Sequence, residues 1–187
     1  CCDPRLVKAE QEIDDVPSAK LEYLKEMLQQ LIEEGRRILI FSQFTSMLRL
    51  IQEELAQLGI QYTILTGETK DRKSPVEAFQ NGEVPLMLLS LKAGGVGLNL
   101  TAADTVIHYD PWWNPAVESQ ATDRAHRIGQ KNKVFVYKLV SSGTVEKKIL
   151  LLQEKKRELV NALLESKTGK GVTLTMEDLE DVFKPLG

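Results

Sequence analysis

The chain alternates between short apolar runs of five or six residues and longer segments in which apolar residues recur with helical spacing. The apolar runs predict five strands, over residues 37–42, 61–65, 86–90, 105–109 and 134–139. Helical segments separate most of these strands, so crossover connections should place the strands parallel in one sheet. The predicted fold class is therefore α/β, with a parallel sheet covered by helices on both faces.

The longer segments predict helices over residues 18–35, 44–58, 75–80 and 115–128. In the first of these, Ser18 can cap the start and Gly35 supplies the stop. A long helix then begins at the capping residue Thr144 and extends to about residue 164. Its apolar positions are Val145, Ile149, Leu152, Leu159 and Leu163. Beyond a flexible breaker at 167–171, residues 175–183 predict one short acidic helix.

The composition is that of an ordinary soluble domain, with 42% hydrophobic and 27% charged residues. No apolar run has the length of a membrane span or of a signal-peptide core. Cys1 and Cys2 are adjacent, which is too close for a relaxed disulfide, and two cysteines alone form no zinc site. We therefore expect an intracellular protein without metal ligands, cytoplasmic in a bacterium and nuclear in a eukaryote. The missing initial methionine suggests an excerpt from a longer polypeptide.

Basic residues are concentrated in one part of a chain whose net charge is −3. Residues 119–157 contain ten basic and three acidic side chains, which leaves a local charge of +7. A basic patch on an acidic protein permits a polyanionic partner. For the lysines after Glu146, an ordinary solvated helix face is an equally good explanation.

Two parts of a complete nucleotide-hydrolysing site are missing from the sequence. No segment matches the phosphate-binding pattern G-x-x-x-x-G-K-[ST] between a strand and a helix. No DExH-type acidic pair follows a strand, where it could hold magnesium. Any nucleotide that this chain helps to hydrolyse must therefore be held by another domain.

Arg124 and Arg127 are the strongest candidates for chemistry. On the predicted helix they share a face with Gln120, one turn earlier, and can converge on one anion. Guanidinium groups are permanently charged and fork onto phosphate oxygens, which suits them to phosphoryl transfer. For a bare R-x-x-R pair, the alternative is two surface arginines with a salt-bridging Asp123.

The segment QATDRAHRIGQ, residues 120–130, resembles motif VI of superfamily-two helicases in the form typical of Swi/Snf-type DNA translocases. Three upstream segments resemble further motifs of this family in the same order. ILIFSQFTSML (38–48) resembles motif IV, and LTGETKDRKSPVEAFQ (65–80) resembles the block that follows it. LLSLKAGGVGLNLTAADTVIHYDPWWNP (88–115) resembles motif V with its extension. The resemblance implies a RecA-like second motor lobe at 18–143. A lead-in from the first lobe (1–17) would precede it, and a helical brace with an acidic tail (144–187) would follow. The compact second block is similar to the bacterial form.

In this family, ATP with Mg²⁺ lies between two lobes, and the first lobe carries the phosphate loop and the metal ligands. The resemblance therefore implies that Arg124 and Arg127 are arginine fingers and that Gln120 senses the γ-phosphate. It also brings Gly97 and Asn99 close to the nucleotide. The first lobe of the same polypeptide is the implied protein partner of a monomeric, membrane-free enzyme.

Double-stranded DNA is the second implied partner. The residues expected to contact its backbone are Ser42, Gln43, Thr66, Gly67, Lys92, Gly94, Gly95 and Trp113. The first four follow buried strands at the edge where parallel sheets bind ligands, although such loops also occur without a ligand. The glycines also fit a plain turn, whereas a dinucleotide fingerprint fails because Leu100 occupies the third glycine position.

Two other functions compete with this hypothesis. A lobe from an RNA or single-strand helicase is disfavoured by the DRAHRIGQ string, because RNA helicases of the superfamily usually carry an HRxGRxGR-like version. A non-catalytic docking module is disfavoured by the intact set of Gln120, Arg124 and Arg127. We further expect one of Trp112 and Trp113 to pack on the sheet, and His108 to be structural.

Overall fold

The computed structural model describes Asp3, Leu6 and residues 18–94, 97–125 and 133–166, with no side chains described at 94 and 159–166. Gly95, Arg127 and the predicted helix at 175–183 therefore lie outside the described residues. In the part of the chain that is described, no helix is both long and apolar enough to span a membrane.

Among the described residues, five parallel strands form a single sheet. They are β1 (Ile38–Ser42), β2 (Tyr62–Leu65), β3 (Leu86–Ser90), β4 (Thr105–His108) and β5 (Phe135–Lys138). Their spatial order is β2-β3-β1-β4-β5, and each neighbouring pair is parallel. The predicted parallel sheet is confirmed, and β1 lies at its centre with all five residues buried.

In the part of the chain that the structure describes, six helices connect and flank the strands. They are α1 (Ala19–Glu33), α2 (Thr45–Gln57), α3 (Lys73–Asn81), α4 (Leu91–Gly94), α5 (Pro115–Thr122) and α6 (Val145–Ser166). As predicted, Ser18 caps α1 by accepting from the Leu21 N–H, and Gly35 follows its end with a φ of +74°. The short helix α4 was not predicted, and α3 begins two residues earlier than the sequence pattern indicates.

Successive residues of a strand point to opposite faces, so each central strand contributes to two cores. On one face, Ile38 and Ile40 pack with the apolar sides of α1 and α2. On the other face, Leu39 and Phe41 pack with residues from α3, α4 and α5. Helices therefore cover both faces of the sheet, as the fold class requires.

The helix predicted over 115–128 is shorter in the structure, because α5 ends at Thr122. The following amides bond three residues back, from Arg124 N to the Ala121 carbonyl (3.2 Å) and from Ala125 N to the Thr122 carbonyl (3.0 Å). The Arg124 carbonyl accepts instead from the N–H of Leu100, at 3.0 Å. A long-range contact thus takes the carbonyl that a continuing helix would use. The prediction that Arg124 lies on a helix is wrong.

The last helix, α6, starts where predicted but packs through different residues. Thr144 caps it by accepting from the Glu146 N–H at 3.2 Å. The apolar positions Val145 and Leu152 are 56% and 36% exposed. Glu146 and Gln153, both 3% exposed, face the lobe instead.

Candidate functional site at the carboxyl edge of the sheet

The loops that follow the strands meet at the carboxyl edge of the sheet, because all five strands run parallel. Four of these loops carry residues that the sequence predicts to bind ligands. These residues are Ser42 at the end of β1 with Gln43 after it, Thr66 and Gly67 after β2, Lys92, Gly97 and Asn99 after β3, and Trp113 after β4. The fold therefore brings separate motifs to one edge.

After β1, a buried carboxylate fixes the chain. The Ser42 hydroxyl donates to one oxygen of Asp110, and the Gln43 N–H donates to the other at 2.9 Å. Both Ser42 and Asp110 are buried. The Ser42 hydroxyl is thus already used inside the lobe, while the side chain of Gln43 is half-exposed. Burial raises the pKa of Asp110 to about 6, against the lowering effect of these hydrogen bonds and of Lys20.

After β2, Thr66 forms a compact turn. Its N–H donates to the Thr69 hydroxyl at 2.9 Å, and its own hydroxyl accepts from the Glu68 N–H at 3.3 Å. Gly67 is exposed, and a Cβ built on it would meet no atom within 4 Å. The exposed part of this turn is consequently the backbone at Gly67.

After β3, α4 leads into the glycine-containing loop. Lys92 is exposed on α4, and Gly94 is the last residue of that helix. Gly97 has a φ of +46°, which a glycine adopts without the steric penalty of a Cβ. Gly97 and Asn99 are exposed, so both are accessible to a ligand.

The arginine-bearing turn lies directly beside this loop. Arg124 is 8% exposed and engaged within the lobe, and its carbonyl is bonded to the Leu100 N–H. Gln120 is exposed in α5, four residues earlier. The structure therefore joins motif V and the start of motif VI, two segments that the sequence separates.

The loop after β4 carries the two tryptophans. Trp112 is half-buried against the core that contains Leu39 and Phe41. Trp113 is 56% exposed, and the Lys156 ammonium lies 4.9 Å from its ring centroid. The expectation that one tryptophan packs and the other stays exposed is confirmed. The contact with Lys156 also links this loop to α6.

His108 lies on β4 beneath this edge. Its Nε2 is 3.0 Å from the Thr122 hydroxyl, its ring stacks on Phe41, and Nδ1 has no hydrogen-bond partner among the described residues. Burial lowers the pKa of His108 to about 4; Glu118 opposes this effect and Lys138 adds to it. The imidazole is therefore neutral near pH 7, which agrees with a structural role.

Several polar residues that hold this region together were not among the predicted site residues. Gln80 contacts the loop after the glycines, and Asp110 fixes the loop after β1. Glu118 accepts from the Trp112 N–H at 2.6 Å and from Gln153 at 2.8 Å. Within the described residues, no group of three or more His, Cys, Asp or Glu side chains is arranged to hold a metal.

Known proteins resemble the chain in sequence and in fold. The model of the helicase conserved C-terminal domain matches residues 19–129. An ATP-dependent helicase of Mycoplasma pneumoniae is 45% identical over 170 residues, which cover 89% of this chain and 16% of that protein. The Arabidopsis thaliana protein CHROMATIN REMODELING 24 is 44% identical over 173 residues, which cover 91% of this chain and 16% of that protein.

The crystal structure of the C-terminal part of the Fun30 ATPase domain matches this fold with a TM-score of 0.70 and 31% identity. The match covers 87% of this chain and 48% of the Fun30 chain. The predicted RecA-like lobe is thereby confirmed as the fold. Since the chain spans only about a sixth of the two relatives' length, most of each relative has no counterpart in it.

Proposed function

The chain belongs to the helicase conserved C-terminal domain family, with relatives of the Swi/Snf type, and we propose that it is the second motor lobe of an ATP-dependent translocase on double-stranded DNA. The names of the relatives support ATP dependence, helicase activity and, for one relative, an action on chromatin. The observation that best supports this proposal is the hydrogen bond from the Leu100 N–H to the Arg124 carbonyl, at 3.0 Å. It supports a direct mechanical connection between a DNA-contacting loop and the residues that act on ATP.

In the proposed mechanism, the first lobe holds ATP with Mg²⁺, and this lobe supplies positive charge across the cleft. Arg124 and Arg127 stabilise the charge that spreads over the γ-phosphoryl oxygens during transfer, and Gln120 reads the presence of that group. Gly97 and Asn99 approach the nucleotide through exposed backbone. No metal ligand is assigned to this chain.

DNA is gripped along its phosphate backbone at the same edge of the sheet. Lys92 and the half-exposed side chain of Gln43 are the most accessible donors, and Gly67, Gly94 and Gly95 let the backbone come close to phosphate. Ser42 and Thr66 act through the turns that they fix, because their hydroxyls already have partners in the lobe. Trp113 completes the surface as an exposed aromatic platform.

The proposed division of the chain follows these roles. Residues 18–143 form the lobe, 1–17 lead in from the first lobe, and 144–187 form a brace and tail. The exposed apolar residues Val145, Leu151 and Leu152 of α6 support a brace, since they offer a surface that the first lobe can cover. The complete polypeptide works as a monomer, since one polypeptide supplies both halves of the site.

The test compares ATP hydrolysis by the complete polypeptide and by the 187-residue chain alone, with duplex DNA, single-stranded DNA and RNA as activators. We expect duplex DNA to stimulate the complete protein most strongly, and the isolated chain to be inactive. Replacing Arg127→Ala in the complete protein should lower kcat by about 10³-fold or more. Arg127 is the preferred position, because the buried Arg124 also contributes to folding.

The matched control is Arg49→Ala, which removes the same side chain from an exposed position of α2. It should leave kcat within about twofold of the unsubstituted protein, since exposed substitutions away from a site change little. Strong ATPase activity of the isolated chain would refute the half-site. Unchanged activity of Arg127→Ala would favour a docking module, and preferential stimulation by RNA would favour an RNA helicase.

A further inference from the structure

Gln80, near the end of α3, holds the loop that follows the motif V glycines. Its Nε2 donates to the Asn99 carbonyl at 3.1 Å, and its Oε1 accepts from the Ala102 N–H at 2.8 Å. A glutamine amide is one of the few side chains that can donate and accept at once with adjacent atoms. The two bonds therefore fix the loop backbone at both ends of a three-residue step.

The same loop is bonded to the arginine-bearing turn on its other side. Between the two residues that Gln80 holds, the Leu100 N–H donates to the Arg124 carbonyl at 3.0 Å. The Leu100 carbonyl in turn accepts from the Ala103 N–H at 3.0 Å. Leu100 and Ala103 are both fully buried, so the segment cannot shift freely. A displacement of the loop would consequently displace the Arg124 turn.

Gln80 is itself held in place by its neighbour. Phe79 is fully buried in the core that contains Leu39 and Phe41, together with Leu100 and Ala125. The guanidinium of Arg37 lies 4.8 Å from the Phe79 ring centroid and covers it. Because Phe79 fixes the rotation of α3, Gln80 faces the loop in one orientation.

We propose that Gln80 is a positioning residue that sets the arginine-bearing turn relative to the nucleotide loop, and that this setting determines the rate of hydrolysis. Gln80 acts through Asn99, Ala102 and Leu100 and contributes no group to the reaction. The inference rests on the proposed function, and it assigns a role to a residue outside the expected site. Its signature is a lower kcat with unchanged binding, because small errors in the placement of catalytic groups slow the chemical step.

The test replaces Gln80→Met in the complete polypeptide, which keeps the length of the side chain and removes both hydrogen bonds. At saturating duplex DNA, kcat should fall between about tenfold and 10²-fold, in the range expected from misplacement by up to 1 Å. The KM for ATP and the half-saturating DNA concentration should stay within about twofold. The variant Gln80→Glu keeps the acceptor for Ala102 and loses the donor to Asn99, so its kcat should lie between those of the other two proteins.

Gln52→Met is the matched control. Gln52 is half-buried like Gln80, but among the described residues its amide has one hydrogen-bond partner, the Tyr62 hydroxyl, at 3.2 Å. A kcat for Gln80→Met equal to that of Gln52→Met, or a fall in both, would overturn the proposal. So would a rise in the KM for ATP that matches the fall in kcat.

Amide hydrogen exchange separates this inference from the proposed function. In Gln80→Met, exchange at Leu100, Ala102 and Ala125 should accelerate by about tenfold or more relative to Gln52→Met, since each lies in or beside the bonded segment. This readout does not require activity. Absent DNA-stimulated hydrolysis in the unsubstituted protein would refute the proposed function, whereas unchanged exchange would refute the role of Gln80.

Discussion

Glu118 of α5 forms an ion pair with Lys138, the last residue of β5. The carboxylate is 2% exposed at its side chain and also accepts from Gln153 of α6 at 2.8 Å and from the Trp112 N–H at 2.6 Å. One buried charge thus joins a strand, two helices and the tryptophan loop. A buried carboxylate is tolerated only when its oxygens are satisfied in this way.

Replacing Glu118→Ala should lower the free energy of unfolding of the 187-residue chain by about 3 kcal/mol, because it removes a buried acceptor shared by Lys138, Gln153 and the Trp112 N–H. The side chain of Lys138 is 27% exposed and can turn partly to water. The loss should therefore lie at the lower end of the roughly 3–5 kcal/mol expected when a buried ion pair is broken. Urea unfolding followed by circular dichroism measures the change. Glu154→Ala, at an exposed position of α6, serves as the control and should change stability by less than about 0.5 kcal/mol. Equal losses in both variants would contradict the role of Glu118.

A second buried pair holds the start of α6. The Lys20 ammonium pairs with Glu146 and donates to the carbonyls of Tyr109 (3.2 Å) and Leu139 (3.3 Å). Replacing Lys20→Met should therefore destabilise the chain by about 3–5 kcal/mol, since it removes one partner of a buried ion pair. Differential scanning fluorimetry and urea unfolding would both show the loss.

The control for this pair is Lys25→Met, the same substitution on the same helix. Lys25 is partly exposed and bridges Glu22 and Glu54 at 3.1 and 3.0 Å. Pairs of that kind contribute at most about 1 kcal/mol. If Lys25→Met cost as much as Lys20→Met, burial would not be the reason for the strength of the Lys20 contact.

The parallel sheet was predictable because apolar runs such as 38–42 and 86–90 indicate strands covered on both faces, and the helical segments between the runs indicate crossover connections. The end of α5 was not, since it depends on a hydrogen bond from Leu100 to Arg124, 24 residues apart. Local periodicity contains no information on such a contact.

The residues through which α6 packs on the lobe were not predictable for a related reason. Its apolar spacing selects Val145 and Leu152, but Glu146 and Gln153 are the residues that face the lobe. Burial of a polar side chain depends on partners such as Lys20 and Lys138, which lie far away in sequence. The positions expected to bind ligands were identifiable by resemblance, whereas the contacts that hold them in place were identifiable only in the structure.

The stability of the chain should depend on pH through Asp110. Burial raises the pKa of this carboxyl from 3.8 to about 6 in the folded chain, where Lys20 and Glu146 are the charged groups that act on it. The folded state therefore binds the proton more tightly, and this group's contribution to stability falls as the pH rises from about 4 to about 6. Above about pH 6 this contribution to stability is lost. The rise in the pKa of Asp110 corresponds to roughly 3 kcal/mol of folding free energy.

Asp110→Asn removes this titration and keeps an acceptor for the Gln43 N–H. The difference in unfolding free energy between Asp110→Asn and the unsubstituted chain should therefore grow in favour of the variant by roughly 3 kcal/mol between pH 4 and pH 7. Taking the difference cancels the contributions of the other carboxylates to the pH dependence of stability. It also cancels the contribution of His108, whose lowered pKa makes the fold less stable as the pH falls. A difference that is independent of pH would show that Asp110 is ionised in the folded chain throughout.

The contact between Trp113 and Lys156 is weak enough that a role of Trp113 in DNA binding can be tested separately from a role in stability. Trp113 is 56% exposed, and its cation–π contact at 4.9 Å contributes no more than about 1 kcal/mol at such a site. Trp113→Ala should consequently leave the unfolding free energy almost unchanged. If the proposed DNA surface is correct, the same substitution in the complete protein should raise the half-saturating duplex DNA concentration severalfold. Tyr23→Ala, which removes an aromatic ring of 58% exposure from α1, should have no such effect. Equal DNA dependence of the two variants would exclude Trp113 from the DNA surface.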